Sequence, residues 1–131
     1  MARIPESHRD LIEKNQVAIL TTNNPDGFPQ TTALWFLADE DGTIRLSINT
    51  ARQKAKNLQR DPACTLFFME PGNPYRTLEI RARAHIEPDP GYELADRVAE
   101  RYGAPSLRQM DKPGESRLAV TIEPVKVNTW G

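Results

Sequence analysis

Apolar and polar side chains alternate with a period of two along much of this chain, and the interruptions are short. Ile44, Leu46 and Ile48 alternate with Arg45, Ser47 and Asn49, which predicts a strand with one buried face. The longest run covers residues 75–86. There Leu78, Ile80, Ala82, Ala84 and Ile86 form a core face, opposite Thr77, Glu79, Arg81, Arg83 and His85. Residues 17–22, 31–38, 63–69 and 117–130 predict further strands, the last broken near Pro124. Turn chemistry separates them: NPDG from Asn24, DEDG from Asp39, Asp61-Pro62, and EPGNP from Glu70. The first three strands are expected to form a meander.

Helical spacing appears in three places. Residues 5–15 predict a short helix capped by Ser7 that plugs the core through Leu11 and Ile12. Thr50 followed three residues later by Gln53 has the form of a capping box, opening a basic helix whose Ala55 and Leu58 face inward. Residues 92–102 place Leu94, Ala95, Val98 and Tyr102 on one helical face, ended by Gly103 and Pro105. Residues 106–116 read as a loop with a helical turn. Two runs, Leu34 to Leu37 and Leu66 to Met69, put large apolar side chains on both faces of a strand, so both faces need a cover. Six or seven antiparallel strands with few helices predict a mainly β, closed or partly closed barrel. A C2 homodimer is favoured over helices as the second cover.

A length of 131 residues indicates one domain spanning 1–131. The chain's 18 acids and 17 bases exclude a general nucleic-acid binder and point to a small-molecule partner. The single cysteine, Cys64, lies in an apolar run and reads as a core residue of a cytoplasmic protein; neither signal peptide nor membrane span is legible. Positive charge is nevertheless concentrated locally, with five Lys or Arg and no acid between Gly42 and Arg60. Arg52 and Lys54 fall in the helix's first turn, where they oppose the macrodipole at about 0.3–1 kcal/mol each. Beside the Thr50 hydroxyl and unpaired backbone N–H groups, they form a candidate anion site; the alternative is a solvated basic face. His8 and His85 lack metal-ligand spacing, and no nucleophile or phosphate-loop motif occurs. Such a chain would draw its chemistry from a bound cofactor.

The succession AILTT, GFPQTTALWF, LSINTARQKAKNL and NPYRTLEIRARAHIE, together spanning most of the chain, resembles the pyridoxamine 5'-phosphate oxidase-like split-barrel superfamily of flavin and deazaflavin proteins. Within it the chain is most similar to the actinobacterial coenzyme F420-dependent reductases. The resemblance implies an antiparallel split β-barrel of the FMN-binding type with short peripheral helices. It also implies a homodimer with cofactor sites at the subunit interface. Thr50, Arg52 and Lys54 would hold the cofactor phosphate, with Gln53 nearby. Gln30, Thr32, Ala33 and Trp35 would run alongside the tricyclic ring, while Pro74, Tyr75 and Arg76 would arrive from the other subunit. For Tyr75 the alternative is strand-end packing, and for Trp130 either a groove wall or a core cap.

Two departures from the family pattern stand out. Ala82 occupies a position where relatives often carry glycine, and the sequence as given ends without the histidine-containing substrate motif of true pyridoxamine phosphate oxidases. Vitamin B6 oxidation is therefore disfavoured. The resemblance implies F420H2-dependent hydride transfer to an enone, quinone or tetrapyrrole-like acceptor, with Lys56, Arg60 or Arg45 meeting the cofactor's polyglutamate tail. The proton would come from solvent, Tyr75 or Arg76. Two alternatives are an FMN-binding oxidoreductase on the same fold and a carrier that binds F420 without turnover.

Overall fold

The computed structural model describes residues 2–131. Seven strands form one antiparallel sheet: β1 (Ala18–Asn23), β2 (Pro29–Leu34), β3 (Leu37–Ala38), β4 (Ile44–Asn49), β5 (Ala63–Glu70), β6 (Asn73–Pro88) and β7 (Arg117–Trp130). Their order across the sheet is β2-β1-β5-β6-β7-β4-β3. The successive pairings of the predicted meander are present, but they fall at opposite edges of the sheet because its second strand is divided into β2 and β3. β1 and β2 form a hairpin, but β4 pairs with β7 and with the short β3.

The stretch expected to be one strand, residues 31–38, is split, and the split closes the sheet. β2 lies at one edge and β3 at the other, with Trp35 and Phe36 between them. So short a link reaches no more than about 11 Å, which forces the two edges together and curls the sheet into a split barrel. Phe36 at this junction is fully buried and meets Phe68 edge to face, with ring centroids 5.3 Å apart. Truncating such a residue costs about 3–5 kcal/mol. The alternating faces named from the sequence fill the interior: Leu46, Leu66, Leu78, Ile80 and Val120 are all inaccessible to solvent.

Pro124 does not break the last strand. It has no N–H for the ladder, and the β6–β7 register slips beside it, from Arg81 opposite Lys126 to Ala82 opposite Pro124. The strand thus absorbs its proline as a bulge and continues to Trp130.

Three short helices flank the barrel: α1 (Asp10–Lys14), α2 (Gln53–Arg60) and α3 (Glu93–Arg101). The predicted N-terminal helix is shorter than expected, a 3-10 turn (Glu6–His8) followed by α1, although Leu11 and Ile12 do plug the core. Ser7 caps nothing; its hydroxyl bonds His8 Nδ1 at 2.8 Å. A second 3-10 turn (Leu107–Gln109) interrupts the loop between α3 and β7, as anticipated. The true cap of α3 is buried Asp89, whose carboxylate accepts from the backbone N–H of Glu93, Leu94 and Ala95. This fixes α3 over Trp35, which stacks on Tyr102 at 4.5 Å and 6°. A helix thus covers one of the doubly apolar runs, while Phe67 and Met69 of the other remain exposed. No helix among the described residues is long and apolar enough to cross a membrane.

Candidate functional site

The turn joining β4 to α2 is built differently from a capping box. α2 starts only at Gln53, and its N-cap is Arg52, whose extended backbone carries no side-chain cap bond. Thr50 stands too far before the helix to reach its first N–H groups. Its hydroxyl instead meets Ser116, accepting from the backbone N–H at 3.2 Å and lying 3.2 Å from Oγ. Gln53 donates along its own helix to Asn57 Oδ1. The side chain that organises the turn is Asn49, buried at the end of β4, whose Oδ1 accepts the Ala51 N–H at 2.8 Å.

Asn49 also anchors the loop before β7. Its Nδ2 donates to Asp111 Oδ1 at 2.8 Å and to Glu115 Oε1 at 2.9 Å. Asp111 in turn accepts two bonds from Arg117, at 2.7 and 2.9 Å, and one from the Tyr92 hydroxyl at 2.7 Å. With side-chain exposures of 11% for Arg117 and 4% for Asp111, this ion pair is largely buried. The Arg117 guanidinium, with help from Tyr92 and Asn49, pulls the Asp111 carboxyl down to about 2. Donating to that carboxylate raises the Tyr92 phenol above its usual range.

Between turn and loop lies an open cleft of about 300 Å³, at the low end of the range for small-molecule sites. Its polar wall comes from Ser47, Asn49, Arg52, Lys54 and Arg117, and its apolar wall from Val17, Ala33, Leu34, Trp35, Val98, Leu107 and Met110. Lys54 is half-buried; burial, then the charges of Arg52 and Arg117, lower its ammonium pKa. Its one side-chain hydrogen bond among the described residues goes to Thr32 Oγ1, at 3.5 Å. Ser47 Oγ, in the same cleft, is buried without a partner. So is Gln30 Oε1, on the inward face of β2 that also carries Thr32. Three gathered cations, with Asp111 already engaged by one of them, and an unpartnered hydroxyl beside an aromatic wall fit a phosphate-bearing, ring-containing cofactor.

The eleven residues named from the sequence separate into three sets. Ala33, Trp35, Arg52 and Lys54 line the cleft, Thr32 is joined to it through Lys54, and Gln30 lies on the same face of β2 next to Thr32. Thr50 and Gln53 border it but are engaged with Ser116 and Asn57. Pro74, Tyr75 and Arg76 are not brought to it within this chain. Thr77 pairs with Trp130 at the far end of β7, whereas the cleft lies at Arg117, the near end. Arg76 is committed there to Asp10, Glu70 and the Ser7 carbonyl. Ser47, Asn49, Tyr92, Asp111 and Arg117 escaped the sequence reading. Ser47 and Asn49 occupied the polar phase of a strand, and Asp111 lay in a loop without periodicity. Cys64 is buried as expected, and burial pushes its thiol up to about 12.

A curled antiparallel sheet with a cationic cleft at one strand–helix turn defines a cofactor-binding split barrel. The sequence model described as pyridoxamine 5'-phosphate oxidase matches residues 4–131, and the chain belongs to that family. Among solved structures, an F420 reductase is 32% identical, with a TM-score of 0.79 over 95% of this chain and 98% of that one. The chain groups with that reductase among the split barrels. A conserved hypothetical protein from Mycobacterium tuberculosis is 27% identical, with a TM-score of 0.76 over 98% of this chain and 85% of that one. The heme storage protein HutZ from Vibrio cholerae shares the fold at 17% identity, with a TM-score of 0.73 over 99% and 96% of the two chains. No curated protein matches the sequence.

Proposed function

We propose that this protein is an F420H2-dependent reductase acting on an enone, quinone or tetrapyrrole-like acceptor. The observation that carries the proposal is the cluster of Arg52, Lys54 and Arg117 around a cleft walled by Trp35, in a chain similar to an F420 reductase. Bound there, F420 supplies a deazaflavin ring that donates a hydride and reacts poorly with oxygen. Arg52 and Lys54 hold the cofactor phosphate through charge-assisted hydrogen bonds. Arg117 adds its charge while Asp111 fixes its guanidinium. Trp35, pinned by Tyr102, gives a rigid apolar face for a flat ring, and Leu107 and Met110 extend the apolar wall.

The proton that completes the reduction comes from solvent or Tyr75. Arg76 is a poor donor, because its bonds to Asp10 raise its pKa above the ordinary guanidinium range. Tyr75 reaches a cleft only as part of a C2 homodimer, in which it approaches the partner's site. Supporting that assembly, Met69, Thr77 and Trp130 are cross-strand neighbours, and Met69, Tyr75 and Trp130 leave large apolar surfaces exposed.

Equilibrium titration of the apo protein with F420, read by fluorescence, tests the proposal, with FMN in a parallel arm because one cationic cluster serves either phosphate. Tighter binding of F420 than of FMN, followed by F420H2 oxidation with enone or quinone acceptors, is the expected result. FMN preference would move the protein to the flavin branch, and F420 binding without turnover would make it a carrier. Light scattering that gave a monomer would remove Pro74 and Tyr75 from the site.

A further inference from the structure

A second and larger cavity, of about 710 Å³, lies at the opposite end of β4. The cofactor cleft uses Ser47 to Asn49 at the strand's C-terminal end, whereas this cavity uses Gly42 and Thr43, just before its start. At about 3.3 Å per residue, the two are about 13–23 Å apart along the strand. The remaining walls are the N-terminal segment Ala2 to Ile4, His85 of β6 and Thr121 to Pro124 of β7. Ala2 N–H donates to the Pro124 carbonyl at 3.2 Å, which holds that segment against the sheet.

The charged groups here are unequally satisfied. Asp41 Oδ1 accepts the Thr43 N–H at 2.9 Å, and Glu123 Oε1 is bonded to His85 Nε2 at 2.6 Å. The arginines have no comparable partners. Among the described residues the Arg3 side chain makes no hydrogen bond or ion pair. Arg9 has one, to Glu6 at 3.4 Å, a carboxylate 87% exposed and so weakly held. Arg9 Nε is buried with nothing to donate to. Its guanidinium nevertheless has a defined seat, since Nη2 lies 3.5 Å from the point where a side chain on Gly42 would begin. Between these polar groups lie Ile4, Ile122 and Pro124, the two isoleucines being buried members of the barrel core that the cavity borders.

We infer that this cavity is a second binding site, for an amphipathic organic acid. Its apolar body packs on Ile4, Ile122 and Pro124, and its carboxylate is held by Arg9 and Arg3. The volume lies within the range of small-molecule sites, and the apolar walls favour such a molecule over inorganic phosphate. The pair His85–Glu123 offers a polar group on the opposite rim. The inference goes beyond the reductase reading and does not depend on it.

The test is a methyl NMR titration of the full chain with 2-naphthoate and its neutral analogue 2-naphthamide, with and without FMN to load the other cleft. Saturable shifts of the Ile4 and Ile122 methyls with naphthoate, and binding at least about tenfold weaker for naphthamide, are expected. Combining Arg3→Gln with Arg9→Gln should weaken naphthoate by a similar factor and leave naphthamide unchanged, with the Ile48 and Ile80 methyls reporting an intact barrel. Naphthoate that leaves Ile4 and Ile122 unmoved overturns the site. Equal affinity for the two probes overturns the role of the arginines, and because that comparison uses the unmodified chain it stands even if the double variant does not fold.

Discussion

Lys54 and Arg76 are both basic residues that the sequence assigns to the same cofactor, yet the fold gives them opposite surroundings. Arg76 makes a bidentate pair with Asp10, at 2.7 and 2.9 Å, reaches Glu70 at 3.1 Å and bonds the Ser7 carbonyl. Those bonds raise its pKa and drive the Asp10 carboxyl far below the usual carboxylate range. Lys54 has no carboxylate within ion-pair distance among the described residues, and burial beside two arginines lowers its pKa. A cation that folding satisfies ties structure together, here the N-terminal turn to β6. A cation that folding strains is held ready for a ligand that relieves it. Residue type does not distinguish the two; partners do.

The largest effect expected from this contrast follows from removing Lys54 together with its neighbour Arg52. Arg52→Ala combined with Lys54→Ala should weaken F420 or FMN binding by about 100-fold or more, as two charge-assisted hydrogen bonds are lost. The melting temperature should hardly change; a double variant that binds as tightly as the parent would remove the phosphate assignment. Next comes the buried network behind the cleft. Asp111→Asn leaves Arg117 without its counter-charge and should cost about 3 kcal/mol in denaturant unfolding, since breaking one side of a buried pair exposes the other to the full desolvation penalty. An unchanged midpoint would show that water or Glu115 replaces the carboxylate.

Arg76→Gln should do the reverse of the double variant, lowering the melting temperature while the Arg52–Lys54 cluster stays intact. If it abolished cofactor binding in a stably folded dimer, Arg76 would belong to the site after all. The smallest effect is in the pH dependence. A lysine whose pKa is depressed on folding binds fewer protons than in the unfolded chain between the lowered pKa and 10.5. Stability therefore gains from Lys54 as pH rises through that window, whereas phosphate affinity falls as the ammonium is lost. Cofactor binding in that window should take up protons, detectable as buffer-dependent calorimetric heats. Lys54→Arg should abolish the uptake, because a guanidinium stays charged there.

Much of the barrel was legible because a half-buried strand writes its burial into alternate positions. Leu78, Ile80, Ala82 and Ala84 on β6, and Ile44, Leu46 and Ile48 on β4, are buried in the predicted phase. The basic turn was legible for a related reason, since five cations without an acid stand out along the chain as they do in space. Strand order was not. Periodicity says which face a strand buries and nothing about which edge it joins, so the division of one apolar run between the sheet's two edges at Trp35–Phe36 could not be read. The capping box failed for a competing reason: buried Asn49 satisfies the turn first, and Thr50 is drawn away by Ser116.

The sequence by itself determined a mainly β barrel, a cationic turn before α2 and a buried, inert Cys64, because each depends on neighbours along the chain. Only the tertiary structure decided that Asn49, Asp111 and Arg117 support that turn, that Lys54 is strained and Arg76 satisfied, and that Arg3 and Arg9 border a second cavity. Those outcomes depend on contacts between residues far apart in the chain, such as Asn49 with Glu115, Asp10 with Arg76 and Ala2 with Pro124, and a charge's environment is set by what surrounds it in space rather than by what precedes it in sequence.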